Sequence, residues 1–320
     1  MNSKRRKIAV LGTGNVGATI AYTLTLQGIC SEIVLVDINK EKAEGETLDL
    51  NQCAACVPSV KVTCGDYADV AGSDIVIVTF GVGRKPGQSR LDLAAINVGI
   101  LKSVMPDVAK IAPDALYVIV SNPVDVLTYV TMKCTGLKKE QVIGTGTLLD
   151  SNRLAEAVAT YCGVDTHNVN AYVFGEHGDA CMAPWSLCTV CGMPIKEYCE
   201  KIMKVSKEEM DAELLNIYDG MVKSGSKVIK AKGATFYAIA ASTVQLVKAL
   251  LADTDTILSL STMLDGQYGA KDMCTGVLCK IGGNGFKEVI ELPLPEDEMK
   301  LFSEKIASLD NTYNALGVRE

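Results

Sequence analysis

The sequence predicts an α/β fold: a doubly wound parallel sheet over residues 1–146, followed by an α+β domain over 147–320. Three observations carry that reading. Short β-branched runs alternate with helical stretches through the first half of the chain, and most of those runs are apolar throughout, as expected of strands covered on both faces. After Gly146 the alternation gives way to separated strands among long helices. At 320 residues the chain is also too long for one ordinary core and too short for three.

In chain order, the strands of the first domain are KIAVLG, EIVLVD, VKVTCG, DIVIVTFG, ALYVIVSNP and QVIGTG. The intervening helices fall at 15–27, 39–53, 92–111 and 124–135, with Pro106 and Pro113 expected to disturb the third. The second domain offers NAYVFG, DTILSLSTML and GVLCKIG as strands and 206–231, 234–251 and 295–316 as helices. The sequence shows no internal repeat and no obvious flexible linker.

Composition narrows the function classes. Hydrophobic residues make up 48% and charged residues 22%, which argues for a globular chain rather than disorder. With 31 basic against 38 acidic residues the formal net charge is −7, a field that repels polyanions, so nucleic acid is not an expected partner. The uncharged run from Ile8 to Ser31 is long enough to span a membrane, but Gly12, Gly14, Asn15, Gly17, Gln27 and Gly28 interrupt it, and no membrane partner is expected. Residues Lys4 to Lys7 read as a solvated lead into the first strand. Without an export signal, the 12 cysteines are expected to be reduced thiols of a cytoplasmic protein.

The first strand runs directly into Gly12-Thr13-Gly14-Asn15-Val16-Gly17, which opens a helical stretch. This is G-x-G-x-x-G in the strand–turn–helix context that lets backbone N–H groups approach a pyrophosphate. Asp37 ends the second strand, twenty residues beyond Gly17, where a carboxylate accepts hydrogen bonds from ribose hydroxyls and repels a 2′-phosphate. The expected cofactor is therefore NAD, and the first domain is a Rossmann domain.

Polar clusters follow: Arg84 to Arg90, Ser121-Asn122-Pro123, Leu149-Asp150-Ser151-Asn152-Arg153 and Gly175-Glu176-His177-Gly178-Asp179. Asp150 and Arg153, three apart on a helix, can face one cleft. With two histidines in the chain, a three-histidine zinc site is impossible. His167 lies in a polar turn and reads as a surface residue. His177 follows an apolar strand among glycines, and with Asp150 and two arginines at hand it reads as an acid/base group. The pairs Cys53/Cys56 and Cys188/Cys191 have redox or zinc spacing, but they fall in different domains and read as packing thiols; no metal is expected.

GTGNVG, SNPVDVLTYV, GTGTLLDSNR and GEHGD stand in the order and spacing of one family, and over nearly its whole length the chain resembles the L-lactate/malate dehydrogenases. The resemblance implies that the second domain is a substrate domain, with His177 as proton donor and acceptor, Asp150 as its partner and Arg153 as the clamp on the substrate's C1 carboxylate. Arg90 would polarise the reacting carbonyl, Asn122 would contact the carbonyl region and Thr235 would lie beside the bound acid. Gly12, Gly14, Val16, Gly17, Asp37, Lys42, Tyr67, Gly81, Val82, Ser103, Val120, Asn122 and Thr145 fall at the family's NAD-contact positions. A planar guanidinium suits a carboxylate at Arg153, and the glycines at 81, 83 and 87 would let the Arg84–Arg90 segment close over substrate.

Two departures bear on substrate. The position that reads the substrate's variable end is Arg84, the malate-type residue, where lactate enzymes carry Gln; the flanking framework resembles the lactate branch. Weight on Arg84 gives malate dehydrogenase as the expected activity, with L-lactate dehydrogenase as the alternative and a catalytically idle NAD-binding redox sensor as a third reading. Ala155 and Asn170 replace the Arg and His that bind fructose 1,6-bisphosphate in allosteric relatives, so no activation by that sugar phosphate is expected. The expected partners are a small 2-hydroxy or 2-oxo acid and further copies of the chain, as a homodimer or homotetramer.

Overall fold

The computed structural model describes residues 6–83, 87, 89–178 and 180–319. Arg84 and Asp179, both part of the polar clusters above, lie outside the described residues, as do Lys4 and Arg5 of the basic lead.

Five-residue β1 (Lys7–Leu11) is buried along all but its first residue and feeds the glycine turn, from which α1 (Asn15–Gln27) leads back to β2 (Glu32–Val36). The same unit continues through α2 (Lys40–Gln52) to β3 (Lys61–Cys64); a short 3-10 turn at Tyr67–Val70 replaces the helix before β4 (Ile75–Val78), and the unit then resumes through α3 (Arg90–Ile111), β5 (Leu116–Ile119), α4 (Val124–Thr135) and β6 (Val142–Gly144). All four residues of β4, IVIV, are buried, which is why these strands show no polar alternation. The six strands pair in parallel in the order β3-β2-β1-β4-β5-β6, the arrangement that places a ligand crevice beyond the carboxyl ends of the strands where the order reverses.

Beyond β6 come α5 (Leu148–Cys162), the short strands β7 (Val169–Asn170), β8 (Phe174–Gly175), β9 (Cys181–Met182), β10 (Thr189–Val190) and β11 (Met193–Pro194), then α6 (Ile195–Tyr198), α7 (Lys207–Lys232), α8 (Tyr237–Ala252), β12 (Thr256–Asp265), β13 (Lys271–Gly282), β14 (Gly285–Val289) and α9 (Glu296–Leu316). Strand β12 joins the parallel sheet through an antiparallel contact of Ser261 with Gly144, and β13, β8 and β9 extend it further. One sheet therefore runs from the nucleotide side to the loop after β8. A second apolar core forms between α5, α7 and the short strands, around Leu154, Val158, Val173 and Leu214.

Two local expectations need correction. Pro106 does not disturb α3, which runs unbroken from Arg90 to Ile111; the missing N–H costs one hydrogen bond that 22 residues of helix absorb, and the helix ends at Ala112, before Pro113. NAYVFG is not one strand. It splits into β7, paired with β10, and β8, paired with β9 and β13, so the chain changes sheets across Ala171–Val173.

Gly12 has φ +99°, and a Cβ there would lie 2.8 Å from Phe80 N; a Cβ on Gly17 would collide with the Gly12 carbonyl oxygen and lie 2.7 Å from Thr79 Oγ1. The motif thus reflects backbone packing of α1 onto β1 and β4. Gly17→Ala is expected to destabilise the protein by about 1–3 kcal/mol or more, read as a lower urea midpoint. An unchanged midpoint would contradict the packing argument.

Candidate active site

The site is built where β8 meets the first turns of α5. Thr147 Oγ1 donates to Val173 O at 2.5 Å, and Val173 N donates to Ser151 Oγ at 2.9 Å, so the approach to β8 is stitched to the start of α5. Two residues beyond β8, His177 N donates to Asp125 Oδ2 at 2.9 Å. These bonds fix the loop and aim the imidazole at α5, where Nδ1 meets Asp150 Oδ2 at 2.6 Å. Because an ionised carboxylate only accepts, Nδ1 carries the proton, and Nε2 is left to meet a substrate.

Asp150 is 3% exposed in its side chain and His177 22%. Burial alone would push the Asp150 carboxyl up, but the adjoining His177 and Arg153 outweigh it and hold it below the usual range. Burial alone would likewise lower His177; the charge and hydrogen bond of Asp150 reverse that and raise it, with Asp125 adding to the effect and Arg153 opposing it. Both directions describe one ion pair that favours the protonated imidazole beside the ionised carboxylate.

Arg153 lies one turn beyond Asp150 on the same helix, with Nη1 3.2 Å from Asp150 Oδ1. That contact orients the guanidinium and occupies one donor of five, leaving the others for a carboxylate. Gly225 of α7 lies alongside it, close enough that a Cβ there would be in ordinary contact with Nη2. Arg90 is the first residue of α3, behind a Ser89–Asp92 capping box that sets where the preceding segment ends. Asn122 is exposed beyond β5, and Thr235 sits between α7 and α8, the two helices packed on α5.

On the nucleotide side, α1 starts at Gly14 with no side-chain cap and no acidic residue in its first turn, and a Cβ on Gly14 would meet nothing within 4 Å. Open N–H groups beside empty space fit a pyrophosphate. Asp37 Oδ2 accepts from Thr13 N at 2.6 Å and Thr13 Oγ1 at 3.0 Å, and Oδ1 accepts from Asn39 N at 2.8 Å. Burial would raise its pKa, but these bonds and the Lys42 charge lower it, so the carboxylate stays ionised with acceptor capacity left on Oδ1. Asp37 also lines a depression of about 160 Å³ with Lys40, Ala43 and Gly65. The Tyr67 hydroxyl is pushed up by burial and by the Asp37 charge, which places it in the same neighbourhood. Gly81 and Val82 follow β4, Val120 follows β5 and Thr145 follows β6, all at the carboxyl edge; Val16 lies in the first turn of α1, packed against the core. Ser103 stands apart, exposed midway along α3 with its hydroxyl donated to Ile100 O.

Sequence reasoning missed the residues that hold these parts together. Buried Asn97 of α3 accepts from Val82 N at 2.9 Å and donates to Asn122 O at 2.7 Å, tying the Gly81–Gly83 segment to the loop after β5. Asp125, Thr147 and Ser151 do the same for His177. An Asn or Thr in an apolar run gives no signal of such a bond; Asp125, a lone acid inside SNPVDVLTYV, gives a weak one.

Comparison with known proteins agrees with this geometry. Residues 6–144 match the family model of the lactate/malate dehydrogenase NAD binding domain, and residues 147–316 that of the lactate/malate dehydrogenase alpha/beta C-terminal domain. The chain belongs to the lactate/malate dehydrogenase family. It is 44% identical to L-lactate dehydrogenase 1 of Clostridium acetobutylicum over 98% of this chain and 99% of that protein, and 40% identical to an L-lactate dehydrogenase of a Thermoanaerobacter species over 98% and 99%. Its fold matches the minor L-lactate dehydrogenase of Enterococcus mundtii in the ligands-bound form with TM-score 0.92 at 39% identity, covering 97% and 98% of the two chains. A lactate dehydrogenase from a deep-sea metagenome library gives 0.93 at 33%, covering 98% and 99%. The protein is accordingly an NAD-dependent 2-hydroxy acid dehydrogenase.

The raised His177 pKa makes a prediction with a definite sign. The ion pair contributes its full stability below the unfolded-state value of about 6.5 and loses it as pH rises through the higher folded value. The stability advantage of the protein over its His177→Asn variant in urea unfolding is expected to be larger near about pH 6 than near about pH 9. A difference independent of pH would contradict the pair.

Proposed function

We propose that the protein is an L-lactate dehydrogenase that interconverts pyruvate and lactate. The observation that carries this reading is whole-chain likeness: relatives bearing that name share 44% of residues over 98% of this chain. In the direction of reduction, bound NADH supplies the hydride to the carbonyl carbon. His177 then gives the Nε2 proton to the oxygen that gains charge, and Asp150 stabilises the imidazolium before transfer and fixes its orientation. Arg153 holds the C1 carboxylate with the N–H donors that Asp150 leaves unused, Arg90 polarises the carbonyl, and Asn122 and Thr235 line the space between them. Exposed Tyr22 and Leu26 on α1 and Leu48 on α2 support self-association of the chain as a homodimer or homotetramer. The small, uncharged Ala155 and Asn170 support the absence of a fructose 1,6-bisphosphate response.

A second reading, malate dehydrogenase, rests on Arg84. A guanidinium enclosed with the methyl group of pyruvate would be an unpaired charge, a penalty of about 3–5 kcal/mol, whereas the second carboxylate of oxaloacetate would neutralise it. The framework and this one residue favour different acids. A segment that stays open to water over Arg84 reconciles them, because a solvated cation imposes little penalty on pyruvate.

The assay that separates the readings follows NADH absorbance with each acid. The expected result is a higher kcat/KM for pyruvate than for oxaloacetate; the reverse order would establish the malate reading. Arg84→Gln is expected to lower activity on oxaloacetate and raise it on pyruvate, and equal effects on both would remove Arg84 from substrate selection. His177→Asn is expected to lose at least about 100-fold in kcat while binding NADH as before, and retention of a tenth of the parent rate would reject its role.

A further inference from the structure

Beneath His177 lies a second carboxylate that the reaction as described does not use. Asp125, the second residue of α4, is 1% exposed, and apart from the neighbouring buried Ser261 hydroxyl its Oδ1 has no hydrogen-bond partner among the described residues. Its Oδ2 accepts from His177 N at 2.9 Å. Its own carbonyl oxygen accepts from Tyr313 Oη at 3.1 Å, and Tyr313 in turn is tied to Cys274 N and O, so the backbone beneath the acid is held from α9 and β13. An Asn at position 125 could offer the same oxygen to His177 N. Burying a charge there instead forfeits its hydration, and that loss calls for a compensating partner.

The groups facing Asp125 identify one. From α5 comes Asp150, from β13 the Cys274 thiol, from α9 the Tyr313 hydroxyl, and from the loop after β8 the His177 ring. Burial drives the thiol and the phenol well above their ordinary values, so both stay neutral. The imidazolium is the cation against which Asp125 acts.

We propose that Asp125 is a positioning residue of the reaction: one oxygen fixes the loop that carries His177, and its charge acts with that of Asp150 to hold the imidazole in its proton-donating form. This rests on the acid/base role proposed for His177, but it is read on the ring itself. Burial pushes the Asp125 carboxyl up to about 6, opposed in part by Ser261 and His177, so the charge is present at neutral pH and disappears on mild acidification. Asp125→Asn keeps an acceptor for His177 N and removes only the charge.

The test is a ring titration of His177 by NMR on protein labelled at the histidine Cε1 carbon, with His167→Gln assigning the two signals. In folded Asp125→Asn the His177 midpoint is expected to fall by about one unit, the alkaline limb of kcat/KM to move with it, and NADH affinity to stay as it was. In the unmutated protein the His177 signal is expected to show a second, smaller inflection near pH 6 as Asp125 takes up its proton. An unmoved midpoint in the folded variant would overturn the proposal; should the variant not fold, a single inflection in the unmutated protein would do so. A shifted ring titration together with full turnover in His177→Asn would leave Asp125 acting on the ring and reject the acid/base role instead.

Discussion

A carboxylate buried as deeply as Asp150 must be compensated, and the compensation organises the site. Taken alone, such an ion forfeits several kcal/mol of hydration. Here one oxygen meets the His177 ring at 2.6 Å and the other meets Arg153 at 3.2 Å. One anion thus fixes both an imidazole and a guanidinium, the groups proposed to give a proton and to hold a carboxylate. Their spacing is set by a single helix turn of α5 and by the position of β8, whose approach is held by Thr147 and Ser151 and whose following loop is held by Asp125.

The sheet connects this pair to the cofactor. Because β12 adds to β6 and β13 carries β8, the loop bearing His177 hangs from the same sheet whose carboxyl edge holds the glycine turn and Asp37. Few of the contacts involve flexible surface side chains. The nucleotide end is set by backbone approach at Gly12 and Gly17 and the substrate end by buried hydrogen bonds, while Asn97 links the segment after β4 to the loop after β5.

The alternation of apolar runs made the six parallel strands legible, since burial on both faces leaves a plain mark on composition. The glycine motif, Asp37, and the Asp150, Arg153 and His177 set were legible because each demands a rare residue type in a fixed place. Other features left no mark. Pro106 reads as a disturbance of α3 because a sequence does not reveal that the rest of a 22-residue helix carries the chain through it, and NAYVFG reads as one strand because a change of sheet alters no side-chain pattern. Asn97 and Asp125 act through bonds to residues far along the chain, and spacing carries no information about those. Arg84 pointed to malate, whereas whole-chain likeness points to lactate: one residue reports the chemistry at a single substrate position, and the framework reports descent.

The chemistry proposed for the site depends on Asp150 setting the protonation of His177. The most direct measurement is the pH dependence of kcat/KM for oxo acid reduction in the protein and in Asp150→Asn. With the carboxylate in place, activity should hold to a pH above the ordinary imidazole value and then fall. In the variant the fall should move to lower pH, with NADH affinity unchanged. An alkaline limb at the same pH in both proteins would show that the proton used in the reaction is not the one this ion pair holds.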